Sequence, residues 1–171
     1  MRSVLLFGAA LLLCLPTTAS AGELFAGAYA HAAKTRLSLN SDREGGVDLS
    51  VGVRGGRIAG TPLQPYALAT VNLDGGTNFL VGGLFARFGR QLYVRPALGL
   101  AVHDGSASNF ELPDRLAFGS RILFAPELAV GTQVSPRFSI EASWLHFSHA
   151  QIFGKQNPGI DNIGLRVNVR M

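Results

Sequence analysis

Apolar residues alternate with small or polar residues along most of the chain after residue 22. Alternation with a period of two is typical of β-strands, because successive side chains point to opposite faces. Turn residues divide the alternation into stretches of about ten residues, the length that a tilted strand needs to cross a bilayer. The pattern predicts strands at eight places: 23–34, 45–55, 64–73, 78–88, 91–104, 119–134, 137–149 and 160–171.

An even number of such strands predicts an all-β protein, an eight-stranded antiparallel transmembrane β-barrel with both chain ends on one side. The connections fall alternately at the two ends of the barrel, and in the second half those at one end, 104–118 and 150–159, are the longer. Long loops face outward in outer-membrane barrels, so this end is predicted to lie at the cell surface. Pro96 and Pro126 predict bulges or bends, because proline cannot donate a ladder hydrogen bond.

The parity of most stretches predicts which side chains face lipid and which face the lumen, whereas the first and fourth stretches are ambiguous. In the second stretch Val47, Leu49, Val51 and Val53 alternate with Asp48, Ser50, Gly52 and Arg54, and the fifth, sixth and eighth stretches behave likewise. The interior of an eight-stranded barrel is narrow enough to be filled by side chains. We therefore expect the inward-facing charges to pair inside it, which argues against a solute pore: Arg54, Arg95, Glu127, Glu141 and Arg166.

The first 21 residues have the composition of a cleaved secretory signal peptide, with a basic start, an apolar run over 4–15 and small residues at 19–21. Cys14, the one cysteine, lies within that segment, so residues 22–171 are expected to form a single barrel domain without a disulfide. Hydrophobic residues make up 47% of the chain, yet no run after residue 21 suits a membrane helix. A closed barrel is the other structure that satisfies its backbone groups in lipid.

The formal charge of +4 is spread along the chain, which argues against nucleic-acid binding. The histidines and carboxylates show no convergent metal-ligand spacing, so we expect neither a metal nor another cofactor.

Candidate chemistry lies at the junction of the last two predicted strands. The lipid-facing parity of the seventh stretch runs through Ile140, Ala142 and Trp144, which suits an interfacial aromatic girdle, and continues to His146 and Ser148. The same parity on the eighth stretch arrives at Asp161. Because a hairpin makes these strands neighbours, the three polar residues should share the outer surface at one membrane interface.

A serine nucleophile needs a base within hydrogen-bond reach, and the base needs a carboxylate that fixes its tautomer. His146, Ser148 and Asp161 could supply this triad. Polar residues at strand ends are also common at a membrane interface, and a single His-x-Ser has little specificity, so the pattern by itself leaves a structural role open.

The sequence His146-x-Ser148-x-Ala150, followed by Asn157, Pro158, Gly159, Ile160 and Asp161, resembles the lipid A 3-O-deacylase (PagL-type) family of outer-membrane barrels. The resemblance implies that Ser148 is the nucleophile and His146 the general base. Asp161 then stands where the family has glutamate, after a loop one residue longer than usual.

The resemblance also implies an oxyanion hole in this loop, for which the Asn157 side chain and the Gln151 backbone N–H are candidates. His149 replaces the family's asparagine, and its inward parity favours a plain lumen histidine over a residue that supports the site.

The resemblance implies a serine esterase that removes the ester-linked 3-position acyl chain of lipid A in lipopolysaccharide, with its active site at the outer leaflet. Two alternatives stay open, a non-catalytic small barrel acting in adhesion or membrane structure and a lipid acyltransferase barrel. The sequence also leaves open the preference for lipid A over phospholipid and whether the barrel forms a homodimer.

Overall fold

A computed structural model describes residues 22–38, 41–113 and 115–171. The predicted signal peptide, residues 1–21, lies outside the described residues. The strands are β1 (Glu23–Ala30), β2 (Val47–Arg54), β3 (Gln64–Asn72), β4 (Phe79–Phe85), β5 (Phe88–Gly89), β6 (Leu92–His103), β7 (Ile122–Gln133), β8 (Phe138–Phe147) and β9 (Ile160–Arg170). A 3₁₀ turn, Ser41–Arg43, lies between β1 and β2. In these described segments no helix is long and apolar enough to cross a membrane.

Apart from β4 and β5, which do not pair with each other, each strand pairs antiparallel with its sequence neighbours, and β1 pairs with β9 to close the sheet. The two short segments β4 and β5 both pair with β6, so together they form one wall of the barrel. The predicted eight-stranded antiparallel β-barrel is confirmed, because β4 and β5 together count as one strand of the barrel. Each of the eight predicted stretches coincides with an observed strand or strand pair, and only Gly89 of β5 lies outside its stretch, 78–88.

The break between β4 and β5 lies opposite Pro96. Phe85 pairs with Ala97 and Phe88 with Val94, so the register is the same on both sides of the break. The Ala86 N–H donates to the Pro96 carbonyl at 3.1 Å, but the proline has no N–H to return the bond. Pro126 also keeps the register of β6 and β7. The predicted bulges are therefore wrong: proline removes a bond here without inserting a residue.

The outer wall is apolar along the predicted parity. Side chains exposed by about half their surface or more stand on it, among them Leu49 (51%), Leu98 (59%), Val130 (55%) and Leu165 (63%). Apolar side chains on this face suit contact with lipid, and the closed sheet pairs its backbone groups internally.

The interior is filled in two layers. In one half Arg95 pairs with Glu127 at 2.6 Å, Arg166 with Glu127 at 2.8 Å and Arg54 with Glu141 at 2.7 Å, which confirms the predicted lumen ion pairs. In the other half buried aromatic and aliphatic side chains pack together: Phe79, Leu116, Phe118, Leu123, Leu145, Phe147 and Ile160. The Phe79 and Phe147 rings stack with their centroids 3.9 Å apart. Side chains thus occupy the lumen, as the strand number predicted.

The candidate active site

The candidate catalytic side chains lie where β8 ends and β9 begins, at the same end as the long loops. His146 pairs directly with Asp161 across the two strands. Ser148 continues the register of β8 beyond its last residue, because its N–H donates to the Phe124 carbonyl at 3.2 Å and its carbonyl accepts from the Phe124 N–H at 2.7 Å. Backbone pairing thus fixes all three positions on the outward face, as parity predicted.

The three side chains form a continuous hydrogen-bond chain. The His146 Nδ1 atom is 2.8 Å from Asp161 Oδ1, and its Nε2 atom is 3.0 Å from Ser148 Oγ. A carboxylate can only accept, so Nδ1 carries the proton and Nε2 is left as an acceptor for the Ser148 hydroxyl. This is the tautomer in which a histidine can take a proton from a serine.

Asp161 is fully buried, which corrects the expectation that it lies open on the lipid-facing surface. The loop after β1 folds over this part of the wall. The Ala33 N–H donates to the Asp161 carbonyl at 2.7 Å, and the Thr35 hydroxyl donates to Asp161 Oδ2. The Trp144 indole N–H donates to Asp161 Oδ1 at 2.8 Å. The carboxylate therefore accepts hydrogen bonds from three side chains and cannot swing away from the histidine.

Sequence reasoning missed Thr35 and the polar role of Trp144. Trp144 shares the parity of His146 and lies two residues before it, so its indole N–H could have been weighed as a second donor to Asp161. No sequence signal marks Thr35, which reaches the site across 126 residues of sequence through the fold of the loop.

Gly159 lets the returning loop pass close beneath the histidine. Its φ is +65°, and a Cβ at this position would lie 3.0 Å from His146 Cε1 and 3.0 Å from the Leu37 carbonyl oxygen. Any side chain would press on the imidazole and adopt a strained backbone conformation. The glycine is therefore part of how the ring is held.

The loop between β8 and β9 is organised around His149. Ala150 and Gln151 both have positive φ, 51° and 59°, and the Ile152 N–H closes this turn on the His149 carbonyl at 2.9 Å. The His149 ring is fully buried, and its Nε2 is 2.9 Å from the Gln156 carbonyl oxygen. The inward position predicted for His149 is therefore confirmed, and its ring in addition supports the loop through Gln156.

The two candidate oxyanion donors lie in this loop. The His149 N–H donates to Asn157 Oδ1 at 3.0 Å. Because this partner is a donor, the bonded atom must be the amide oxygen, and the Asn157 NH₂ group is directed elsewhere. Within the described ranges the Gln151 N–H donates to no protein acceptor. Both groups thus keep donors that a substrate oxygen could use.

A family model described as lipid A 3-O-deacylase (PagL) matches residues 25–170, nearly the whole barrel. The chain belongs to the lipid A 3-O-deacylase (PagL) family. No curated protein sequence matches it at a significant level. This membership and the apolar outer wall make the chain a membrane-embedded barrel of the outer membrane.

Solved structures share the fold at low sequence identity. The crystal structure of the outer membrane enzyme PagL is 15% identical, covers 86% of this chain and 99% of its own, and superposes with a TM-score of 0.61. Neisserial surface protein A is 15% identical, with 88% and 97% covered and a TM-score of 0.55. The Yersinia pestis outer membrane protein Ail is 12% identical, with 89% and 99% covered and a TM-score of 0.52. These likenesses concern the fold alone, and none supports the homodimer that the sequence left open.

Behind the candidate triad of this PagL-family barrel lies a buried polar network centred on His31. Its Nε2 is 2.9 Å from Glu44 and its Nδ1 is 2.9 Å from Asp48. Burial opposes the charged form of the ring, but the hydrogen bonds and charges of these two carboxylates outweigh it and raise the pKa of His31 to about 9. The network fixes the start of the loop that carries Thr35.

In the parts of the chain that the structure describes, no three histidine, cysteine or carboxylate side chains come together as metal ligands would.

Proposed function

We propose that this PagL-family protein is a serine esterase that removes the ester-linked 3-position acyl chain of lipid A in the outer leaflet. The observation that carries the proposal is the unbroken chain from Asp161 through His146 to Ser148, with links of 2.8 and 3.0 Å, on the lipid-facing wall. The triad lies at the ends of its strands, where an ester bond near a lipid headgroup would contact the barrel.

In the proposed reaction Ser148 Oγ attacks the ester carbonyl carbon while His146 Nε2 takes the hydroxyl proton. The tetrahedral intermediate collapses, the bond to the sugar oxygen breaks, and His146 gives its proton to that oxygen. Water then attacks the acyl-enzyme with His146 again as base, which releases the fatty acid and restores Ser148. Asp161 stays ionised and stabilises the imidazolium that forms in each half.

We further propose that the Asn157 NH₂ group and the Gln151 N–H bind the oxygen of the tetrahedral intermediate. Both belong to the loop that follows Ser148, and a neighbouring N–H of that loop fixes the orientation of the Asn157 amide. Donors of this kind commonly contribute about 3 kcal/mol to transition-state stabilisation.

The test is mass spectrometry of lipid A from cells that produce the wild-type protein or its variants. Ser148→Ala and His146→Asn should abolish release of the 3-position acyl chain, because each removes a group that makes or breaks bonds. Asp161→Asn should leave more activity than either, since this residue orients the histidine without taking its proton. Ser120→Ala, at the same end of the barrel, is the matched control and should deacylate like the wild type.

Unchanged deacylation by both Ser148→Ala and His146→Asn, with folded protein in the membrane, would refute the triad. The same spectra separate the alternatives: a non-catalytic barrel leaves lipid A unchanged, and an acyltransferase adds a chain.

A further inference from the structure

The charges at the end of the barrel remote from the triad are one-sided. The connections at this end, 55–63, 86–91 and 134–137, contain four arginines and no Asp, Glu or Lys: Arg57, Arg87, Arg90 and Arg137. The connections at the triad end, 31–46, 73–78, 104–121 and 148–159, contain six basic and six acidic residues. The remote rim is therefore strongly positive while the triad end is balanced.

A cavity of about 230 Å³ opens within this basic rim. Four arginines line it together with Gln64, Phe85, two glycines and one carboxylate, Glu23: Arg54, Arg57, Arg87 and Arg170. A cavity lined by this excess of guanidinium groups holds a positive potential that its low-dielectric walls focus.

The carboxylate in the cavity is already paired. Glu23 accepts a hydrogen bond from Arg54 and two from Arg87, both at 3.1 Å. Arg54 reaches a second acid, Glu141, at 2.7 Å. Glu23 is therefore paired with Arg54 and Arg87, and it does not balance the charges of Arg57 and Arg170.

Several donors in the cavity have no acceptor. The Nε atoms of Arg54 and Arg87 are buried and make no hydrogen bond in the described part of the molecule. Arg54 is only 3% exposed, so water does not readily satisfy its Nε. Across the same described residues, Arg57 and Arg170 have no carboxylate within ion-pair distance. Arg57 and Arg170 are exposed residues, so their guanidinium groups are accessible to an anion that enters the cavity.

The composition of the site selects the kind of anion. Arginine presents a planar fork of donors that matches the oxygens of a phosphate group, and it is more weakly hydrated than lysine. The rim also borders the apolar wall, where Leu63, Phe138 and Met171 are exposed, so a lipid that contacts this wall could bring its headgroup to the cavity.

We propose that this cavity is a binding site for a phosphate-bearing anion, held chiefly by Arg57 and Arg170 with support from Arg87. The group comes either from a phospholipid headgroup of the inner leaflet or from free phosphate. The site is independent of the triad, which lies at the other end of the strands.

The experiment uses the purified full chain in a non-ionic detergent at constant ionic strength. Inorganic phosphate is titrated in one arm and a short-chain phosphatidylglycerol in the other, and the thermal unfolding midpoint gives the apparent affinity. The double variant R57Q/R170Q removes the two uncompensated arginines. R90Q/R137Q is the matched control, because it removes the same charge from the same rim outside the cavity.

R57Q/R170Q should bind the anion about tenfold more weakly or worse, while R90Q/R137Q should bind like the wild type. R57K/R170K keeps the positive charge and loses the planar guanidinium fork. Its affinity for the anion should lie between those of R57Q/R170Q and R90Q/R137Q. Binding in both arms identifies the phosphate group itself as the ligand, and binding only of the lipid identifies a headgroup site. Equal weakening in both glutamine variants, or no saturable binding by the wild type, would overturn the proposal.

Discussion

At the residue scale, the aspartate at position 161 reaches its histidine because the two are directly opposed across a strand pair. Opposed residues in an antiparallel pair have Cβ atoms about 5 Å apart. A short carboxylate therefore suffices, and the Asp161 to His146 distance of 2.8 Å shows that the longer loop before it does not spoil the contact. Thr35 and Trp144 then fix the carboxylate from the other sides.

We expect Thr35→Val and Trp144→Phe each to lower kcat by about tenfold, since each removes a hydrogen bond to a charged acceptor, worth about 1.5 kcal/mol, and loosens Asp161. KM should stay the same, because neither residue is proposed to bind substrate. Thr35→Ser keeps the hydroxyl and should retain wild-type kcat. A rise in KM, or a loss of protein stability, without a fall in kcat would contradict a positioning role.

At the scale of the elements, the candidate site combines residues on strands with residues of two loops. The loop between β8 and β9 folds around His149, and the loop after β1 descends over Asp161. The second loop is tied at its start by the His31 network, where the Ala32 N–H donates to Asn162 Oδ1 at 3.1 Å. Asn162 in turn donates to Asp48 at 2.6 Å, so this network and the triad share β9.

This network makes stability depend on pH. The folded pKa of His31, about 9, lies above the ordinary value of 6.5, so its contribution is fully present below pH 6.5 and is lost as pH rises through 9. We expect the unfolding midpoint of the wild type to fall across this window. His31→Gln should have a lower midpoint below pH 6.5 and a flatter profile above it. His103→Gln, which changes a histidine outside the network, should keep the wild-type slope.

At the scale of the whole molecule, the barrel separates a charged interior from an apolar outer wall. Glu141 is fully buried and lies within 4 Å of four arginines: Arg54, Arg87, Arg95 and Arg166. The Glu141 carboxylate thus compensates the positive charges of arginines that are far apart in sequence and lie close together inside the barrel. Glu141 therefore links arginines of several strands across the barrel interior.

Glu141→Gln should destabilise the folded barrel by about 3–5 kcal/mol, because it leaves several buried guanidinium groups without compensation. Chemical denaturation in detergent or lipid measures the change. Glu111→Gln breaks an exposed pair with Arg43 and should change the free energy of unfolding by less than about 1 kcal/mol. Similar losses for the two variants would show that the interior pairs contribute no more than surface pairs.

Alternation along the chain predicts the strands, most of their faces and the lumen charges, because a strand shows its two environments directly in alternating side chains. It also placed His146, Ser148 and Asp161 on one surface, since a hairpin puts equal parities side by side. The surroundings of these three residues depend on tertiary contacts. Thr35 and the burial of Asp161 depend on how a loop folds back over the wall, and His149 on how another closes. The path of a loop depends on contacts between residues that are distant in sequence, and the alternation of apolar and polar residues does not show such contacts.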